Sequence, residues 1–205
     1  MSPLLSQLLV FGTLIYRHRL IINISVILLA FLRLSLLYNR LVKKLRLIIH
    51  NVRSTYNVGS LLRTSDGLGV EKVYMTGYTP YPQVKNDRRL PHLQQSISRR
   101  IHKTALGAED TVVCEHQPDI KILISKLQKS GFQVVALEQT AQAKNIIDFK
   151  LNNDTALIVG EEISGLEPEI VAMTDWQLEI PMLGQKESFN VAVAAAIALY
   201  HLRYK

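Results

Sequence analysis

Hydrophobic residues fall into short runs that recur from residue 45 to the C-terminus, separated by polar segments and turn residues. Runs of this length are typical of strands that are buried on both faces of a sheet. They predict strands at Leu45–His50, Lys72–Thr76, Val112–Cys114, Phe132–Leu137, Ala156–Val159 and Leu178–Ile180.

Segments with helical spacing lie between these runs. Asn57 is predicted to cap a helix that runs to about Leu68 and stops at Gly67 and Gly69. Residues 78–95 contain three prolines and are expected to form a long loop. Further helices are predicted at Asp119–Lys129, Pro168–Met173 and Asn190–Arg203. This alternation predicts an α/β fold, a mostly parallel sheet flanked by helices, with ligands at the carboxyl ends of the strands.

Residues 1–44 have a different character from the rest of the chain. They are rich in Leu and Ile and hold six Lys or Arg residues but no Asp or Glu. Three interpretations stay open: a translated upstream extension, a membrane hairpin or anchor, and a helical appendage that covers an apolar surface. We therefore expect an N-terminal extension at 1–44 and a catalytic domain at 45–205.

The net charge of +7 comes mostly from that first segment. The other 161 residues hold 18 basic and 17 acidic groups, so attraction to nucleic acid must come from local clustering. One basic cluster exists, and it is either an RNA-binding surface or an ordinary solvated face: Lys85, Arg88, Arg89, Arg99, Arg100 and Lys103.

Cysteine and histidine usage narrows the chemistry. Cys114 is the single cysteine, which excludes an internal disulfide and fits a reducing, cytoplasmic compartment. The six histidines are scattered without the spacing of metal ligands, so no metal is expected.

Three distant stretches carry candidate site residues. The first, Asn51–Arg63, reads NVRSTYNVGSLLR and opens a helix whose free N–H groups favour an anion such as phosphate. Arg63 follows Asn57 by six residues and would grip phosphate oxygens in a bidentate manner. The alternative is an Asn cap followed by an arginine in a surface salt bridge.

The second stretch, Val159–Leu166, reads VGEEISGL and runs from an apolar strand into a loop with two glycines and two acids. Glycines let a ligand or another backbone approach closely, and a carboxylate in this loop would orient an arginine or a substrate hydroxyl. The alternative is a plain strand–turn–helix with two solvated acids. The loop matches neither a P-loop nor a dinucleotide-binding fingerprint.

The third stretch, Ile180–Ala194, leads from a strand into an alanine-rich helix. Ser188 and Asn190 precede that helix, and either is a good cap residue. The small side chains of the helix would allow close packing of another backbone, in a tightly threaded chain or in a dimer interface.

Taken in order, the patterns N-x5-N-x-G-x3-R, G-x-E-x2-G-L and I-P-M-x-G-x3-S-x-N-V make the chain similar to the SpoU class of SPOUT RNA methyltransferases. The similarity covers about 160 residues, from about Leu45 to the C-terminus, and leaves out residues 1–44. Phe189 stands where that family usually has Leu.

The resemblance implies an α/β fold with a C-terminal deep trefoil knot, a homodimer, and S-adenosylmethionine as cofactor. It also implies transfer of a methyl group to a ribose 2′-hydroxyl of tRNA or rRNA. The catalytic group that it implies is Arg63, Asn57, Glu162, Ser188 and Asn190. The cofactor would lie against Leu137, Gly160, Ile180, Met182, Leu183 and Ser188.

The resemblance gives the basic cluster a role. With Arg63 it would contact the RNA backbone, and the 2′-hydroxyl would distinguish RNA from DNA. Two alternatives stay open: an RNA-binding homodimer of the same fold without catalysis, and a form tethered to a membrane through residues 1–44.

Overall fold

The computed structural model describes residue 30 and residues 43–85, 87–150, 153–161 and 164–205. Residues 43–205 form one compact unit. The expectations for residues 1–42 and for Glu162 lie outside the described residues.

The described chain alternates between strands and helices. Its strands are β1 (Leu45–His50), β2 (Lys72–Thr76), β3 (Cys114–His116), β4 (Gln133–Leu137), β5 (Lys144–Asn145), β6 (Thr155–Val159) and β7 (Trp176–Glu179). Its α-helices are α1 (Thr55–Gly67), α2 (Pro91–Ala105), α3 (Ala108–Thr111), α4 (Ile120–Lys129), α5 (Pro168–Ala172) and α6 (Val191–Tyr204). A 3-10 turn follows β5 at Ile146–Asp148.

All seven strands join one sheet in the order β3-β2-β1-β6-β4-β7-β5, and each described pair is parallel. The prediction of a mostly parallel α/β sheet is confirmed. Because every strand runs the same way, the ends of β4, β6 and β7 meet at one edge, and these three strands are neighbours in the sheet.

Both faces of the sheet are covered, as continuous apolar strands require. In β1, Leu47 and Ile49 pack in one core with α1, α2 and α6, whereas Ile48 packs in a second core with α4. All three side chains are fully buried. Arg203 of α6 fixes this helix to the turn after α1 by donating hydrogen bonds to the carbonyls of Leu68 and Gly69.

The prediction of a loop at 78–95 is wrong from residue 91 onward. Pro91 is the first residue of α2, a position where the missing proline N–H costs nothing. The helix buries only a narrow stripe, with Gln94, Ile101 and Ala105 inside. Its outer face is polar and basic, but Ile97, Ile101 and Ala105 recur at every fourth residue, which is a helical signal in the sequence.

The start of α1 also differs from the expectation. Ser54, not Asn57, is the N-cap, and its hydroxyl accepts a hydrogen bond from the Asn57 backbone N–H at 3.3 Å. Asn57 is therefore the third residue of the helix. Its side chain is not used in capping and faces a different partner.

Candidate active site

A cleft of about 300 Å³ opens at the carboxyl ends of β4, β6 and β7. Four of the residues expected to bind a cofactor line it: Leu137, Gly160, Ile180 and Ser188. Leu137 and Gly160 stand at the ends of neighbouring strands, and Ile180 follows the next strand. The parallel sheet therefore brings the second and third stretches together, although Gly160 and Ile180 are 20 residues apart in sequence.

Two other expected cofactor residues are not among those that line this cleft. The Leu183 side chain is 99% exposed, and Met182 is half-buried outside the lining. Both lie in the segment between β7 and α6, whose two ends, at Ile180 and at Ser188, do line the cleft.

The first and third stretches meet through a pair of asparagines. The Asn190 side-chain amide donates to Oδ1 of Asn57 across 3.2 Å, and Oδ1 of Asn190 accepts the backbone N–H of Ala192 at 2.9 Å. Asn190 is thus both the N-cap of α6 and the bridge to α1. Beside it, Ser188 faces the cleft.

Arg63 lies on the exposed side of α1. Six residues separate it from Asn57, which is about 9 Å along a helix axis at 1.5 Å per residue. The Arg63 side chain is exposed to solvent, about one and a half turns or more along α1 from the asparagine bridge.

Glycines determine the shape of the cleft wall. A Cβ on Gly160 would lie only 2.7 Å from the carbonyl carbon and oxygen of Gly165. Gly165 has a φ of +66°, in the left-handed region that favours glycine. The backbone of this turn can therefore double back closely only with glycine at both positions.

Glu161 is a charged group of this wall that the sequence analysis did not assign. It forms an ion pair with Arg53 at 2.6 Å and accepts a hydrogen bond from the Ser164 hydroxyl. Ser164 lowers the pKa of Glu161 below its usual value, and Tyr78 and Arg53 add to this effect. Glu161 is therefore ionised at neutral pH and connects the wall of the cleft to the segment that precedes α1.

Three more carboxylates, those of Glu138, Glu179 and Glu187, line the cleft and were also missed. A sequence signal was available for two of them. Glu138 directly follows the predicted strand that ends at Leu137, and Glu179 lies within the predicted strand Leu178–Ile180. The rule that ligands bind at strand ends applies to both.

The basic cluster separates into two groups. Lys85 and Arg88 precede α2, Arg99, Arg100 and Lys103 lie on it, and all five are exposed. Arg89 is different: its guanidinium pairs with Asp87 at 2.5 Å, donates to the carbonyls of Tyr81 and Pro82, and stacks 3.5 Å from the Tyr81 ring.

These contacts give Arg89 a structural role in the loop before α2. Its guanidinium lowers the pKa of Asp87, whose side chain is almost completely buried. The donors of Arg89 are therefore directed inward, and its contact with RNA stays a prediction.

The described residues show neither a metal-binding group nor a membrane-spanning helix. Within the described ranges, no three His, Cys, Asp or Glu side chains gather closely enough to hold a metal ion. Among the same residues, no helix has the length and apolar character needed to cross a bilayer.

A glycine-walled cleft at neighbouring strand ends is the usual place for a small ligand in a parallel α/β protein. The chain belongs to the SpoU rRNA methylase family, whose model matches residues 44–200.

Individual relatives agree with this assignment. A tRNA (guanosine(18)-2′-O)-methyltransferase of Aquifex aeolicus is 30% identical over 158 residues, which are 77% of this chain and 68% of that protein. A 23S rRNA (guanosine-2′-O-)-methyltransferase RlmB of Coxiella burnetii is 29% identical over 170 residues, 83% of this chain and 62% of that protein.

Solved structures share the fold. The TrmH/SpoU tRNA modifying enzyme of A. aeolicus has a TM-score of 0.61 at 28% identity, covering 78% of this chain and 73% of that one. An AdoMet-bound rRNA methyltransferase of Sinorhizobium meliloti has a TM-score of 0.65 at 22% identity, covering 77% and 55%. The second similarity establishes the fold alone.

Proposed function

We propose that this chain is an S-adenosylmethionine-dependent methyltransferase that modifies a ribose 2′-hydroxyl of tRNA or rRNA. The observation that carries the proposal is the asparagine bridge, which joins the helix of Arg63 to the segment of Ser188 at the edge of the cleft. Family membership supplies the reaction class, because the Aquifex and Coxiella relatives are named as RNA 2′-O-methyltransferases.

The cleft suits the cofactor in size and lining. Its volume is at the lower end of the range for small-molecule sites. Its wall combines apolar Leu137 and Ile180 with the backbone of Gly160 and with acidic groups such as Glu179. S-adenosylmethionine, when bound, supplies an electrophilic methyl group on a positively charged sulfur, which an acidic lining favours.

The residues of this chain would act on the RNA. Arg63 binds the phosphate beside the target ribose, because a guanidinium is always charged and matches phosphate oxygens. A phosphate oxygen would accept the proton of the 2′-hydroxyl and pass it to water, and the Arg63 guanidinium would offset the negative charge there, while Asn57 and Asn190 hold the ribose in place. Orientation of this kind contributes much of the rate in transfers between two bound groups.

The decisive experiment measures methyl transfer from radiolabelled S-adenosylmethionine to unmodified tRNA and rRNA. Transfer to a 2′-hydroxyl makes the adjacent phosphodiester resistant to alkali, so label in alkali-resistant dinucleotides identifies the product. Arg63→Ala is expected to lose at least about a hundredfold in rate. Lys129→Ala, an exposed cation on α4, is the matched control and should match wild type.

Two results would contradict the proposal. Wild-type rates in Arg63→Ala would remove Arg63 from the mechanism. Calorimetry that finds RNA binding but no S-adenosylmethionine binding would favour the non-catalytic RNA-binding homodimer instead.

RNA is proposed to lie across the exposed cations of α2 and of the loop before it. Removing one phosphate contact should lower the slope of log affinity against log salt by about one. Arg100→Ala is expected to do this for tRNA and rRNA fragments alike. Equal salt slopes for Arg100→Ala and wild type would place the RNA elsewhere.

We further propose that the chain forms a homodimer through α6. Val193, Ile197, Tyr200 and Tyr204 are 38–66% exposed and follow helical spacing along one face. Because this face is apolar and continuous, a second copy is its proposed occupant. Ile197→Glu should convert a dimer to a monomer in sedimentation, whereas Lys126→Glu on α4 should not.

The trefoil knot and a cytoplasmic location are proposed on the family resemblance. Proteolytic mapping of the threaded C-terminal segment and cell fractionation would test them. Recovery of the protein in the membrane fraction would favour the tethered alternative.

A further inference from the structure

Glu138 connects two strands at the bottom of the cleft. It follows β4 directly, and its Oε2 accepts the backbone N–H of Leu166 at 2.7 Å, across the gap to the turn after β6. Its Oε1 accepts the N–H of Gln139 at 3.2 Å. The short contact to Leu166 is a charge-assisted hydrogen bond, which is stronger than a neutral one.

The turn is built around this carboxylate. A Cβ on Gly165 would lie 2.3 Å from Oε2 of Glu138, so the carboxylate occupies the space that any other residue would fill. Gly165 in turn lies against Gly160, whose own Cβ would meet the Gly165 carbonyl. Glu138, Gly165 and Gly160 are therefore stacked in direct contact.

The stacked turn is also the wall of the cleft. Glu161 and Gly165 are paired through both backbone hydrogen bonds, at 3.3 and 3.1 Å, and both residues line the cleft with Gly160 and Ser164. A shift of the Leu166 end would move all of this wall. One side chain from a different strand thus fixes its position.

We propose that Glu138 is a positioning residue for cofactor binding, which holds Gly165 and Leu166 against Gly160 through the Leu166 N–H. This inference rests on the proposed function, since it assigns the cleft to S-adenosylmethionine. It gives Glu138 no contact with the reacting atoms.

Position and charge can be separated by substitution. Glu138→Gln keeps an acceptor oxygen at the same reach but removes the negative charge. Glu138→Asp keeps the charge but is one methylene shorter, so it does not reach Leu166. Glu138→Ala removes both.

The experiment combines calorimetry with S-adenosylmethionine, steady-state kinetics, and hydrogen exchange at the Leu166 amide in the cofactor-free protein. Glu138→Ala and Glu138→Asp are expected to weaken cofactor binding by about tenfold or more, the size of a lost charge-assisted hydrogen bond. The Leu166 amide should exchange faster in both. Glu138→Gln should stay within about threefold of wild type, and kcat at saturating cofactor should change much less than KM.

Three outcomes would overturn the proposal. One is wild-type affinity in Glu138→Ala, and another is unchanged Leu166 exchange in that variant. The third is a Glu138→Asp protein that binds normally while Glu138→Gln does not, because charge would then matter rather than reach. If Glu138→Ala does not fold, the Asp and Gln pair decides alone.

Failure of the proposed function gives a different result. Wild-type protein would then bind no S-adenosylmethionine, yet Leu166 exchange would still report whether Glu138 holds the turn.

Discussion

Replacing Gly59 with alanine tests how the first motif is held in the fold. Gly59 lies in α1, two residues after Asn57, and is buried against α2. A Cβ at this position would lie 2.2 Å from Oγ1 of Thr104 and 2.3 Å from the carbonyl oxygen of Ile101. The Ile101 oxygen belongs to the α2 backbone, so a change of rotamer cannot relieve the contact.

The size of the effect follows from the distances. To reach an ordinary contact of 3.4 Å, the Ile101 oxygen must retreat from 2.3 Å, a shift of about 1.1 Å. Overpacking of a filled core costs about 1–3 kcal/mol, and alanine returns about 0.5–1 kcal/mol through its helix propensity. We expect the free energy of unfolding to fall by about 1–2 kcal/mol, and Tm by about 2–8 °C.

Gly67→Ala is the matched control, since Gly67 ends the same helix and an added Cβ would meet nothing within 4 Å. It should be neutral or stabilising by up to about 1 kcal/mol. Urea unfolding followed by circular dichroism measures both variants. Because α2 carries Arg99, Arg100 and Lys103, Gly59→Ala should also bind RNA more weakly. A Gly59→Ala protein as stable as Gly67→Ala would refute the close packing of α1 on α2.

Three further predictions concern single side chains. Burial lowers the pKa of His50, so the folded protein binds its proton less readily than the unfolded chain does. The contribution of neutral His50 to the free energy of unfolding is therefore fully present above about pH 6.5 and decreases as the pH falls below it. The free energy of unfolding of His50→Gln should depend less on pH in this range, and equal pH profiles for the two proteins would contradict the prediction. Burial raises the pKa of the Cys114 thiol to about 12, so at pH 8 iodoacetamide should label it at least about a hundredfold more slowly in folded than in urea-unfolded protein, as mass spectrometry can measure. Arg89→Ala should lower the free energy of unfolding by about 1.5–3 kcal/mol, whereas Arg88→Ala, an exposed neighbour, should stay within about 0.5 kcal/mol and weaken RNA binding instead.

Strands were more predictable than the helix that carries the basic surface. The bounds of β1 and β2 follow directly from their apolar runs. The predicted strand Leu178–Ile180 begins two residues later than β7 does. β7 begins with Trp176 and Gln177, and these two residues do not form part of an apolar run. α2 was missed because proline suggests a loop unless it is read as the first helical residue, although Ile97, Ile101 and Ala105 recur at the four-residue spacing of a helix face.

Helix capping shows a limit of local sequence rules. Ser54 and Asn57 are equally good caps by residue type, and the sequence analysis assigned the cap to Asn57. In the fold, Ser54 takes the cap, which leaves the Asn57 side chain for Asn190, a residue 133 positions away. Only tertiary contact decides between two adequate caps.

Arg89 shows the same limit for charge. By sequence it is one of six clustered cations, but Asp87 two residues earlier and two backbone carbonyls take its donors. Cations that already form ion pairs within the protein should therefore be left out of a basic cluster before the cluster is interpreted as a nucleic-acid-binding surface.

The parallel sheet explains why the sequence could predict that motifs far apart in the chain lie in one site. In a parallel sheet each strand delivers its next residue to the same edge, so Glu138, Gly160 and Ile180 were bound to lie close together once β4, β6 and β7 were adjacent. The strand order itself was not readable, because β6 inserts between β1 and β4 against the order of the chain. What the sequence leaves open is which of these edge residues faces the ligand and which, like Glu138, holds its neighbour in place.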